Sequence, residues 1–118
     1  TQRDVREVQL AKAAIRTGID LLLAANDRPT GDIDQVIIAG AFGTYIDVPS
    51  AIAIGMLPEL PLDRFRQVGN AAGMGAKLVL LSQNKRAEAR ALGNLVRYME
   101  LASDPRFNST FVQATWLG

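Results

Sequence analysis

The sequence predicts an α/β fold with a thin, mainly parallel sheet joined by crossover helices. Three observations carry this: a long amphipathic stretch opens the chain, two short apolar runs (35–39 and 64–69) each end at a glycine corner, and a helical pattern follows each corner. The resulting order, α-β-α-β-α-α-(β)-α, is that of parallel strands connected through helices. At 118 residues, with no repeat or low-complexity linker, positions 1–118 are expected to form one domain.

Residues 4–25 set Val5, Val8, Ile15, Ile19 and Leu22 at helical intervals, with Arg6, Gln9, Arg16 and Asp20 on another face, which predicts a helix about 33 Å long. Thr1 followed by Asp4 suits its N-terminus, and "NDRPTGD" (26–32) has the Asn, Pro and Gly that stop it. "QVIIA" (35–39) is apolar throughout, as expected of a strand buried on both faces. Asp47 is expected to cap a helix over 48–57 with Pro49 in its first turn, where a missing N–H costs nothing, and "PELP" (58–61) breaks it. "RFRQVG" (64–69) alternates like a second strand, and Asn70 is placed to cap the helix "AAGMGAKLVLLS". Residues 85–97 are helix formers with Ala87, Ala91, Leu95 and Tyr98 along one face. "YMELA" (98–102) reads as a short strand, and Asp104 and Pro105 as cap and first residue of a last helix with Phe107, Phe111 and Ala114 on its apolar face.

Composition removes several classes of function. The chain is 48% hydrophobic and 21% charged with a formal net charge of +1, which gives no electrostatic case for nucleic acid. It has no cysteine and no histidine, so it lacks a disulfide, a thiolate-bound iron–sulfur cluster or zinc, and the usual general base near neutral pH. Neither a signal peptide nor an apolar run of membrane-spanning length is present, so a soluble, cytoplasmic protein is expected, with no membrane partner. The start at Thr1 and the sparse sheet point to the end of a larger α/β fold with further strands upstream.

The informative residues lie in two strand-to-helix corners, "AGAFGTYID" (39–47) and "VGNAAGMGA" (68–76). In open parallel sheets ligands sit beyond the carboxyl ends of strands, where glycine lets the backbone approach them. Two readings stand side by side. Gly40, Gly43 and Gly69 either only permit positive φ, with Gly73 and Gly75 serving close helix packing, or they leave the backbone bare for a ligand. No G-x-x-x-x-G-K-[ST] and no G-x-G-x-x-G occurs, which argues against a P-loop or an ordinary dinucleotide site. Two small-residue corners would instead clamp something flat, such as an adenosine.

"VQLAKAAIRTGIDLLL", "VIIAGAFGTYID…SAIAIGMLP", "VGNAAGMGAKLVLLS" and "YMELASDPRFNSTFV" together resemble the C-terminal end of the reductive activators of corrinoid proteins. That family joins an iron–sulfur domain of ferredoxin type to an ATPase domain of the superfamily of actin, sugar kinases and heat-shock chaperones. The resemblance implies a partial ribonuclease H-like, actin-like ATPase subdomain that binds ATP or ADP with Mg. Gly40, Ala41, Phe42 and Gly43 match the adenosine motif, and Gly69, Asn70, Ala72 and Gly73 match the second corner; Ala41 replaces one glycine of the double glycine that many relatives carry. The resemblance also implies that the phosphate loops, the Mg-binding acids and the iron–sulfur cluster lie upstream. The partners it implies are the upstream lobes and a corrinoid protein or corrinoid-dependent methyltransferase, whose inactive cob(II)alamin is returned to the cob(I) state.

Phe42 and Tyr45 flank the first corner and could stack on adenine, although Phe42, so close to a buried strand, is expected in the core. Asp47 and Asn70 are read first as caps and second as ligand contacts. Arg64, Arg66, Lys77, Lys85, Arg86 and Arg90 are expected to be solvated rather than a docking face. Two other functions remain: an interaction or dimerisation module that docks a corrinoid protein without nucleotide, and a small-molecule kinase of the same superfamily.

Overall fold

A computed structural model describes residues 1–117, which divide into two compact units: Thr1–Val36 with Asp47–Phe65 and Met99 onward, and Ile37–Ile46 with Arg66–Tyr98.

In the first unit, α1 runs from Gln2 to Ala25, 24 residues. Thr1 caps it in a capping box: its hydroxyl accepts from the Asp4 amide at 3.2 Å. Its partner is α6 (Phe107–Ala114), and between them they form the unit's main helix pair. The face that α1 buries carries Lys12, Ala13, Thr17 and Leu21, with Arg16 and Asp20 partly buried beside them. Sequence periodicity favours the stripe of Val5, Val8, Ile15, Ile19 and Leu22 instead; of these Ile19 is half-buried and the other four are exposed. Small Ala13 and Thr17 admit a neighbouring helix closely, and the Arg16–Asp20 ion pair, 2.9 Å, lets polar side chains lie at the edge of the contact. Leu57 and Pro58 are buried in this unit, as is Ala51 on α3 (Val48–Ala53).

Asp47 caps α3, accepting from the Ser50 amide at 3.1 Å and from the Ser50 hydroxyl. These two bonds, the hydroxyl's first, hold its carboxyl below the usual range. α3 ends at Ala53 rather than near residue 57, because Gly55 turns the chain at φ +80°. Arg64 fastens the approach to the second strand, donating to the carbonyls of Gly31 and Ile33 at 2.9 Å each.

Residues 98–102 form no strand: they are irregular and lead into a turn, with Leu101 against Gly18 of α1. The last helix starts at Phe107, not at Pro105, since Asp104 folds back on Arg106 instead of capping a helix. Its carboxylate accepts from the Arg106 amide at 2.9 Å and from the guanidinium at 2.8 and 3.0 Å. Phe107 and Phe111 stack with centroids 5.6 Å apart on the predicted apolar face.

The second unit holds the sheet, β1 (Val36–Ala39) beside β2 (Phe65–Gly69), followed by α2 (Ala41–Tyr45) after the first strand and by α4 (Ala71–Leu81) and α5 (Gln83–Leu95) after the second. The strands are parallel, with their carboxyl ends meeting where the Gly40 N–H donates to the Gly69 carbonyl at 2.6 Å. β1 is not buried on both faces. It alternates, with Ile37 59% exposed, because a two-stranded ribbon leaves one side uncovered among the described residues. α4 packs on α5, yet neither buries a side chain fully. No helix among the described residues is long and apolar enough to cross a membrane.

Candidate functional site

The two glycine corners form one continuous feature at the carboxyl edge of the sheet. At the first, Gly40 takes φ +94° and ψ 165°, a conformation open in practice only to glycine. A Cβ built on it would find no atom within 4 Å, so this stretch of backbone is bare. At the second, Gly69 takes φ +65°, and a Cβ there would reach only the Thr44 hydroxyl at 3.9 Å. The hydrogen bond from Gly40 to Gly69 makes the two bare positions neighbours.

The other two glycines of the corners do different work. Gly43 is buried, and a Cβ on it would lie 2.6 Å from Ile38 Cγ2, so glycine is what lets α2 settle on β1. Gly73 leaves room for the Asn70 amide, whose Oδ1 accepts from the Gly73 N–H at 2.9 Å as the N-cap of α4. Ala41, Asn70 and Ala72 are exposed.

Phe42 is 72% exposed and Tyr45 86%, which corrects the expectation that Phe42 belongs to the core. α2 begins within one residue of the strand's end, and its first turn swings Phe42 outward while Gly43 takes the inward position. Both aromatic rings therefore flank the first corner in the open.

Asp47 stands as a helix cap, and Arg64 is engaged with loop carbonyls. On α4 and α5, Arg86 donates to the Val79 carbonyl at 3.4 Å and Lys85 pairs with Glu88 at 3.0 Å. No group of three or more histidine, cysteine, aspartate or glutamate side chains suited to a metal occurs among the described residues.

Two features lie outside what the sequence pattern signals. Gln67 on β2 turns its amide toward the first corner and donates to the carbonyls of Gly43 and Ile46, the latter at 2.9 Å. In a strand pattern an amide at an alternating position looks like any solvent-facing residue. In the first unit, a cavity of about 420 Å³ is lined by Lys12, Arg16, Asp20, Glu59, Gln113 and Trp116 among others. Lys12, 2% exposed, donates from Nζ to the Trp116 carbonyl, and burial first, then the nearby Arg16 charge, push its ammonium below the usual lysine range.

Comparison with known proteins places the chain as a whole. Residues 1–118 match the family model described as the C-terminal domain of RACo, the ASKHA domain. The corrinoid activation enzyme RamQ of Eubacterium limosum is 46% identical over 118 residues, covering 100% of this chain and 20% of that protein. A solved structure described as a reductive activator for corrinoid, iron–sulfur protein superposes with a TM-score of 0.91 at 39% identity, over 99% of this chain and 19% of the other. The chain thus spans about a fifth of the length of each of these proteins.

Proposed function

Because the chain belongs to the family of RACo C-terminal ASKHA domains, we propose that it supplies the adenosine side of a nucleotide site in an ATP-dependent reductive activator. The activator returns a corrinoid protein or corrinoid-dependent methyltransferase from the cob(II) to the cob(I) state. The observation that carries this reading is the pair of bare backbone positions, Gly40 and Gly69, held together by one hydrogen bond.

Gly40, Ala41 and Phe42 would line one side of the nucleoside and Gly69, Asn70 and Ala72 the other, with Gly43 and Gly73 shaping the corners from behind. A side chain at Gly40 would occupy the space that a ligand needs, and the exposed Phe42 and Tyr45 rings offer flat apolar faces for a base. Bound ATP or ADP with Mg supplies a differential affinity for one arrangement of the protein over another, which is the only way a ligand drives a conformational change. These residues are given the nucleoside side alone; the phosphate loops, the Mg-binding acids and the iron–sulfur cluster, for which this cysteine-free chain has no thiolate ligands, are further parts of the activator. Those parts, and the electron that reduces cobalt, are assigned to upstream lobes.

The test is a calorimetric titration of the natural-length protein with Mg·ADP, comparing Gly40→Val with the control Gly31→Val, whose site is equally open but has no left-handed φ. Gly40→Val is expected to weaken binding at least tenfold, about 1.4 kcal/mol, and Gly31→Val to leave it unchanged. Equal affinity in all three proteins sinks the reading.

A second reading is favoured by a specific observation. Leu80, Leu81, Leu92, Leu95, Val96 and Tyr98 are each exposed on the second unit, apolar surface that would suit docking a corrinoid protein or a second copy of the chain. Mass that rises with concentration in light scattering, with no response to nucleotide, would support this reading over the first.

A further inference from the structure

The first corner is carried by α2, a single turn of five residues, and a helix that short does not hold itself together. Its N-cap is Gly40, which has no side chain to accept from the first amides, and its last carbonyls have no partner within the helix. Three ties hold it. Gly43 packs on Ile38, the Gly40 N–H donates to Gly69, and Gln67 reaches across from β2.

The Gln67 tie has distinct chemistry. An amide NH2 has two hydrogens to donate, and here its nitrogen lies within hydrogen-bond distance of two carbonyls: Gly43 within the helix and Ile46 just past its end. Both partners are acceptors, so the nitrogen and not the oxygen faces them. One side chain on the second strand therefore fastens the far end of α2, while the Gly40–Gly69 bond fastens its near end.

We infer that Gln67 is a positioning residue for the adenosine corner, fixing α2 so that Gly40 keeps its bare, left-handed backbone turned to the ligand. This rests on the nucleotide reading given above. It predicts a role for a residue that no glycine or aromatic pattern singles out. Methionine at this place has the shape without the donors. Glutamate has the shape with acceptors only, setting a carboxylate against two carbonyl oxygens, until protonation gives it one hydrogen to donate.

The experiment compares the natural-length protein with its Gln67→Met and Gln67→Glu variants, using Mg·ADP and Mg·pyrophosphate as separate probes and thermal unfolding alongside. Gln67→Met is expected to weaken ADP binding about three- to tenfold, the loss of two hydrogen bonds at a partly solvated site, while pyrophosphate binding and the melting temperature stay near those of the parent. Gln67→Glu is expected to lose more at pH 8 and to regain part of that loss, relative to the parent, below about pH 5 as its carboxyl protonates. Variants that bind ADP like the parent overturn the inference. So does a parallel fall in ADP affinity, pyrophosphate affinity and melting temperature, which marks a purely structural role. A parent protein that binds no ADP overturns the nucleotide reading, and this inference with it.

Discussion

The two units of the chain use their side chains in opposite ways. The first buries Ala13, Thr17, Leu21, Ala51, Leu57 and even Lys12, with α1 and α6 as its main pair. In the second, the residue buried among those described in its elements is Gly43, while leucines, a valine and aromatic rings stand exposed. Burial of apolar surface is the main favourable term in folding, so among the described residues that term is concentrated in the first unit, while the second displays a shaped backbone. The second unit's precision comes from glycine conformations and hydrogen bonds, which position groups without supplying a core.

That contrast is open to direct attack. Leu21→Ala, which empties a fully packed place in the first unit, is expected to cost about 2–5 kcal/mol by denaturant unfolding. A loss below about 1 kcal/mol would mean that this core is not what holds the unit. Gly43→Ala probes the one buried spot of the second unit, where the new methyl would stand 2.6 Å from Ile38 Cγ2 and crowd the strand backbone at 3.3 Å. A loss of about 1–3 kcal/mol is expected, with nucleotide affinity falling as α2 is pushed off β1. Unchanged stability there would show that α2 is not seated on β1.

The smallest expected effect concerns charge at the surface of the first unit. Bonds from the Arg106 side chain, then its amide, hold the Asp104 carboxyl down at about 2, below its unfolded value. Because the folded pKa is the lower one, the contribution is present above about pH 4 and fades as pH falls toward 2. Asp104→Asn is expected to remove that part of the acid dependence and to lower the melting temperature at neutral pH by no more than a few degrees. An unaltered acid-unfolding profile would show that the turn before α6 contributes nothing to stability.

Most of the element order was legible in the sequence, and the reason is local. The capping box of Thr1 and Asp4, the caps Asp47 and Asn70, and the β-branched runs ending in glycine are interactions within a few residues, fixed by the chain itself. The corners Gly40 and Gly69 were legible for the same reason: left-handed backbone at a strand's end calls for glycine. The expected strand at 98–102 and the helix start at Pro105 failed where a longer-range contact or a competing local bond won. Leu101 lies against Gly18 on α1, and Asp104 turns to Arg106. Four stretches in order, from the first helix, the two corners and the segment leading into α6, carried the resemblance to the family whose model matches residues 1–118.

Which residues lie inside was settled only by the tertiary structure. Helical periodicity marks an apolar stripe on α1, yet packing chose the adjacent face with Lys12 and Thr17, because the groups that meet it, among them the Trp116 carbonyl to which Lys12 donates, come from the far end of the chain. Phe42 moved to the open side and Gly43 to the closed one by the phase of a single helical turn. Sequence by itself determined most of the elements, the caps at Thr1, Asp47 and Asn70, and the glycine corners where positive φ is needed, all consequences of short-range sterics. The meeting of Gly40 with Gly69, and of Gln67 with two carbonyls more than twenty positions away, belongs to the fold alone, since side-by-side strands bring together groups that no local pattern relates.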